Sequence, residues 1–194
     1  MNRKKIVFTV FLLVALVQLY IPAKMIWERE EVLDSGTAYK FKTAPIDPTD
    51  PFRGKYITLS YDENTVEVES EKDWAKGDKI YIHLTVDSNG FAKIKSASKE
   101  KPPDRQDHLK VKVNYVSGNG SNTLTIDYPF DRFYMEESKA YDAELTYRKS
   151  QRDTSKVTYA LVSIKNGEAV LKDVLIDGIP IREIVKTNQE ENKY

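Results

Sequence analysis

Ile6 to Ala23 is a run of eighteen residues without a charge, twelve of them Ile, Val, Leu or Phe, and it constrains this chain more than any other feature. As a helix rising about 1.5 Å per residue, the run reaches about 27 Å, close to the hydrocarbon thickness of a bilayer. On an insertion scale the aliphatic residues, at about −0.3 to −0.6 kcal/mol each, outweigh Thr9 and Gln18. No polar face interrupts the run, so it fits a buried helix of a soluble domain poorly. Cleavage by a signal peptidase wants small residues at −3 and −1, and Ala23 would need Ile21 as its partner. The sequence therefore predicts a retained anchor over residues 6–26, behind a basic tip, 1–5, that carries Arg3, Lys4 and Lys5. The positive-inside rule keeps that tip in the cytoplasm and sends everything after the span across the cytoplasmic membrane. Tyr20 and Trp27 suit the headgroup interface. Residues 27–36 read as a stalk in which Glu28 to Leu33 prolong the helix until Asp34-Ser35-Gly36 ends it.

Beyond the stalk the hydrophobic period changes to two. Tyr39, Phe41 and Thr43 alternate with lysines, as do Leu109, Val111, Val113 and Tyr115 with polar residues, and Ile80, Ile82, Leu84 and Val86 alternate with Tyr81, His83 and Thr85. These are half-buried strands. Asn89-Gly90 and Asn166-Gly167 each separate two such runs and predict type I′ hairpins, and a looser loop, Ser117 to Gly120, joins a third pair. Helix is expected at Ser70 to Lys76, with Ser70 as N-cap, and at Glu136 to Leu145. Lys99 to Asp107 reads as a solvated loop and residues 188–194 as a frayed tail. The predicted fold class is all-β: a compact antiparallel barrel or sandwich over residues 37–187, with one or two short helices, behind the transmembrane helix.

Composition narrows the function. The absence of Cys removes disulfides, thiol nucleophiles and Cys-ligated zinc. Thirty basic residues balance thirty acidic ones, and with four of the basic ones in the first 27 residues the rest of the chain is net acidic. Nucleic acid, which wants a basic face, is not an expected partner. His83 and His108 read as solvated side chains rather than members of a Ser-His-Asp triad. Ser60 with Lys55 lacks the setting of a serine–lysine dyad, and Asp47, Asp50, Asp62 and Glu63 lack the spacing of a calcium loop. No catalytic residue, metal ligand or cofactor is predicted.

One segment stands apart, Thr43-Ala44-Pro45-Ile46-Asp47-Pro48-Thr49-Asp50-Pro51-Phe52-Arg53-Gly54-Lys55-Tyr56-Ile57-Thr58-Leu59-Ser60-Tyr61. Pro45, Pro48 and Pro51 stiffen an extended loop, the two Asp-Pro pairs favour turns, and Gly54 leads into a strand, Lys55 to Tyr61. Ile57, Leu59 and Tyr61 share one face of that strand; Tyr56, Thr58 and Ser60 share the other. Two readings use the same residues. In one, Asp47, Asp50, Arg53 and Tyr56 form a binding surface, with the Tyr56 and Tyr61 hydroxyls and ring faces offered to a ligand; in the other, the aspartates cap turns, Arg53 pairs with one of them, and the tyrosines are packing. Pro48, Pro51, Gly54, Leu59 and Tyr61 are assigned as the structural members of the motif.

Gly54-Lys55-Tyr56-Ile57-Thr58-Leu59-Ser60-Tyr61, approached through Asp47-Pro48 and Asp50-Pro51-Phe52-Arg53, resembles the signature of the GDYXXLXY family of membrane-anchored proteins, with Lys55 where the signature has Asp. Trp74 with Gly77-Asp78, and the segment Phe130 to Met135, echo it too. The resemblance implies an anchored extracytoplasmic domain and no particular activity; family members resemble accessory partners of multi-span membrane proteins. The reading that follows is a non-enzymatic accessory domain, held in the bilayer by Ile6 to Ala23 and docking on a polytopic membrane protein. An envelope small-molecule or glycan-binding module is the alternative, and an envelope hydrolase ranks last.

Overall fold

The computed structural model describes residues 3–45, 56–103, 107–118 and 121–191. Its first element is a single helix, α1 (Arg3–Ser35), long and apolar enough to cross a membrane and unburied along its apolar stretch. The expected stalk is thus continuous with the expected span. At Val32 the helix meets the domain and becomes buried. Lys165 Nζ reaches both the Glu31 carboxylate, at 2.6 Å, and the Ser35 hydroxyl, at 2.8 Å. Gly36 closes the helix by donating its N–H to Val32 O at 3.0 Å. A Cβ on Gly36 would stand 2.4 Å from Val32 O and 3.0 Å from Ile164 O, so only glycine lets the chain turn so tightly into the first strand.

Two antiparallel five-stranded sheets follow, curled against each other into a nearly closed barrel-like body. The first runs β12 (Ile179–Pro180), β11 (Glu168–Ile176), β10 (Thr158–Lys165), β1 (Thr37–Ala44) and β3 (Ser60–Tyr61). The second runs β4 (Thr65–Glu67), β8 (Thr123–Asp127), β7 (His108–Val116), β5 (Lys79–Val86) and β6 (Ala92–Ser98). Parallel bridges Lys40 to Phe91 and Leu109 to Gly167 tie the sheets together. The inward residues of the period-two runs, among them Phe41, Ile80, Ile82, Leu109, Val113, Val162 and Val174, make one core. The β-rich antiparallel fold is the one the alternation predicts.

Several local expectations are corrected. Only Gly90 of the Asn89-Gly90 pair has positive φ. Asp87 Oδ1 accepts the N–H groups of Asn89 and Phe91, which opens this turn to three residues in place of type I′. Asn166-Gly167 has both angles positive, as type I′ requires, and so has Asp177-Gly178 before β12. Tyr115 is exposed because the β7–β8 register slips after Val113, turning it off the core face. Ser70 makes no cap bond, and the helix expected after it is a single 3-10 turn, Glu71–Asp73.

Helix is also more abundant than one or two short segments. α2 (Glu137–Arg152) runs on well past Leu145, and α3 (Ile181–Glu191) takes in Asn188 and its successors up to Glu191, part of the segment expected to fray. Ile181 and Val185 are buried, and Gln189 donates to Ser138 O and to the Asp142 carboxylate on α2. An amphipathic end with these anchors gains more from docking than it loses in chain entropy.

Candidate functional site

The segment that resembles the family signature changes sheets in the middle. Tyr56, Ile57 and Thr58 form β2, paired antiparallel with β9 (Arg132–Tyr134), and then Ser60 and Tyr61 form β3 on the edge of β1. Leu59 is the crossing point, its N–H donated to Asp131 O at 2.8 Å. One strand was expected from Lys55 to Tyr61; the need to pair with both β9 and β1 divides it.

Alternation then sorts the side chains. Ile57 faces inward opposite Phe133, and Leu59 and Tyr61 are buried beside them. The Tyr61 ring packs edge-on against Phe41, Tyr128 and Phe130, with centroids 5.8, 5.2 and 5.4 Å away, and its hydroxyl donates to Phe130 O at 2.7 Å. Burial pushes the Tyr61 and Tyr128 hydroxyls well above the ordinary phenol range. On the outer face, Tyr56 and Tyr134 stand opposite each other with rings 5.3 Å apart. The Arg132 guanidinium lies 5.1 Å over the Tyr56 ring, the diagonal placement that a two-stranded ladder allows. Tyr134, then Tyr56, then Asp131 raise the Arg132 pKa above its ordinary value. Tyr134 is 59% exposed.

A profile described as GDYXXLXY protein matches residues 18–174. The chain belongs to the GDYXXLXY protein family. No curated protein and no solved structure matches it. The GDYXXLXY match takes in the end of the apolar run, the whole second sheet and the first sheet as far as Val174 on β11, so the family unit includes the C-terminal half of α1 as well as most of the barrel.

Within the GDYXXLXY signature, Leu59 and Tyr61 lie in the core, and Tyr56 lies on the outer face with Arg132 and Tyr134. Asp47, Pro48, Asp50, Pro51, Arg53 and Gly54 lie outside the described residues. Arg132 and Tyr134 were missed as site members because nothing in the sequence pairs the Phe130 to Met135 segment with the signature; only the β2–β9 ladder does. Their signal was the family echo at those residues. His108 corrects another expectation: it is 1% exposed rather than solvated, its ring 5.7 Å from that of Tyr81 and pressed against Gly167. His83, on β5, is half-buried. Among the described residues no group of His, Asp or Glu is placed to hold a metal.

Two open grooves flank the Tyr56–Arg132–Tyr134 face. Tyr134, Met135, Glu136, Lys139 and Arg182 line one of about 230 Å³. There Lys139 holds the Glu136 carboxyl below the ordinary range, and the Arg182 guanidinium lies 4.9 Å from the Phe133 ring. The other groove, about 390 Å³, lies between Arg29 of α1 and Pro129 to Arg132, with Tyr134 and Ala169 to Leu171. An exposed aromatic ladder with a stacked guanidinium is chemistry suited to recognition, offering large rigid contact area at little entropic cost.

Proposed function

We propose that the protein is a non-enzymatic accessory domain, anchored by α1 in the cytoplasmic membrane with its N-terminus inside, that docks on a polytopic membrane protein through the Tyr56–Arg132–Tyr134 face. The observation that carries this reading is the union of helix and domain. α1 is unbroken from Arg3 to Ser35 and clamped at its end by Val32, Gly36 and Lys165. A flexible tether would only concentrate the domain near the bilayer; a clamped helix also sets its height and orientation. Arg29, six residues and so about 9 Å beyond Ala23, shares a groove with Arg132 and Tyr134. The face is therefore held beside the emerging helix, where extracytoplasmic loops of a multi-span partner would meet it.

A photo-cross-linking side chain placed at Tyr134, and separately at Lys149 on α2, tests this in native membranes. Cross-linking to a multi-span protein from position 134 and not from 149 is the expected result. Failure to capture such a protein from position 134, or equal capture from both positions, would overturn it. The anchor is tested by itself: alkaline extraction should leave the chain in the membrane, and protease outside spheroplasts should remove the domain.

A further inference from the structure

Arg29 and Arg132 come from elements distant in sequence and line one groove, together with Asp131 and Tyr134. Arg29 is exposed and has no ion pair among the described residues; the ion pair of Arg132 is a long one, 4.0 Å to Asp131. Arg29 thus carries charge that no ion pair among the described residues offsets, and the long contact leaves Arg132 a charge that Asp131 does not fully neutralise.

Their height identifies what does. On the reading of α1 as an anchor, the span ends near Ala23, and the headgroup layer adds about 5–7 Å beyond the hydrocarbon. Arg29 sits about 9 Å out along the axis, and a long basic side chain near a helix end readily turns back to the interface. Trp27, 75% exposed, and Tyr134 add the amphipathic rings found at that level. Because the clamp at Gly36 and Lys165 fixes the domain on the helix, Arg132 is carried to the same place.

The rest of the domain makes this local charge matter. Residues 28–194 hold 26 basic against 30 acidic groups, so an anionic leaflet repels the domain as a whole. Guanidinium groups match a phosphodiester in planar, paired hydrogen bonds, and a phospholipid leaflet presents that group at this depth at high effective concentration.

We propose that the groove between Arg29 and Arg132 binds the phosphodiester of an anionic phospholipid headgroup in the leaflet from which α1 emerges. Tyr56 stacks on the guanidinium of Arg132 from the β2 side and takes no part in the lipid site, whereas Arg132 and Tyr134 belong to both the docking face and the groove, so Arg29 is the residue that tests lipid binding alone.

The full chain in neutral detergent, titrated with phosphatidylglycerol or phosphatidylcholine and read by native mass spectrometry, tests the proposal. Phosphatidylglycerol should bind at least about tenfold more tightly. Arg29→Gln should lower its affinity about fivefold, the worth of one basic group near an anionic surface, and the double variant with Arg132→Gln should abolish the preference. Lys149→Gln should change nothing. Equal affinity for the two lipids, a full preference retained in Arg29→Gln, or complete displacement by millimolar inorganic phosphate would overturn it, the last by making this a free-anion site. Arg29 makes no core contact, so its variant decides even if the double variant unfolds. Release of the chain by alkaline extraction would instead defeat the anchor reading on which the proposal rests.

Discussion

Tyr61→Phe separates packing from recognition within the signature. The substitution keeps the ring and its edge-on contacts with Phe41, Tyr128 and Phe130, and removes only the hydroxyl that donates to Phe130 O at 2.7 Å. A net hydrogen bond is worth about 0.5–1.5 kcal/mol, and a carbonyl stranded in a dry cluster costs about 1–3 kcal/mol, so a loss of about 2 kcal/mol is expected. For a domain of this size that is a fall in Tm of about 4–8 °C. Tyr56→Phe, altering an outward ring, should stay within about 0.5 kcal/mol. Denaturant unfolding of the full chain in neutral detergent, followed by near-ultraviolet circular dichroism, reads both. Alkaline titration gives an independent check with a definite sign. Burial raises the folded-state pKa of Tyr61 above its ordinary 10.0, so its contribution is complete below pH 10 and is lost as pH rises further. The wild type should therefore lose stability above pH 10 more steeply than Tyr61→Phe. If Tyr61→Phe is as stable as wild type at neutral pH, or if Tyr56→Phe costs as much, the assignment of Tyr61 to the core and Tyr56 to the surface is wrong.

Gly36→Ala should destabilise the chain by about 2–3 kcal/mol, because the new Cβ meets backbone oxygens of Val32 and Ile164 and neither can move alone; an unchanged Tm would refute the close approach. Gly167→Ala, at φ +89° and 3.3 Å from the His108 ring, should cost more than about 1 kcal/mol in the same assay, whereas Gly90→Ala, with open space around it, should cost only its backbone strain. Asp173 has its folded-state pKa raised, chiefly by burial, so ionisation opposes folding as pH rises from the ordinary carboxylate range through that higher pKa. Asp173→Asn, whose side-chain oxygen can still accept the Val174 N–H, should match or exceed wild-type Tm at pH 7 and fall behind it relatively toward pH 4.

Much of this architecture was legible because alternation is a local signal. Tyr39, Phe41 and Thr43, or Ile80, Ile82 and Leu84, announce a buried face in three residues each, and Asn166-Gly167 carries its own turn geometry. What escaped depended on partners far along the chain. The end of α3 carries Asn188, Gln189, Glu190 and Glu191 and reads as tail; its helix is held by Ile181 and Val185 against the barrel and by Gln189 against α2. His108 borders a charged loop and reads as solvated, yet the parallel bridge between Leu109 and Gly167 folds the other sheet over it.

The candidate site shows the same limit in a sharper form. Tyr56 was singled out by its place in the signature, while Arg132 and Tyr134 lie more than seventy residues later and join it through three pairs of β2–β9 register. A one-residue slip in that register would turn Tyr56 and Tyr134 inward and push Ile57 and Phe133 into water. The burial of Ile57 and Phe133 is therefore what aims the outer face, so apolar residues of the signature position the polar ones. Ile57→Ala should then act at a distance. It removes packing worth about 2–5 kcal/mol and also loosens the ladder that stacks Arg132 on Tyr56. Cross-linking from position 134 should weaken in this variant even under conditions where most of the chain remains folded. Undiminished cross-linking from a folded but destabilised Ile57→Ala would show that Tyr134 is placed without the β2–β9 ladder, and the recognition face would then have to be redrawn around α2 and Arg182.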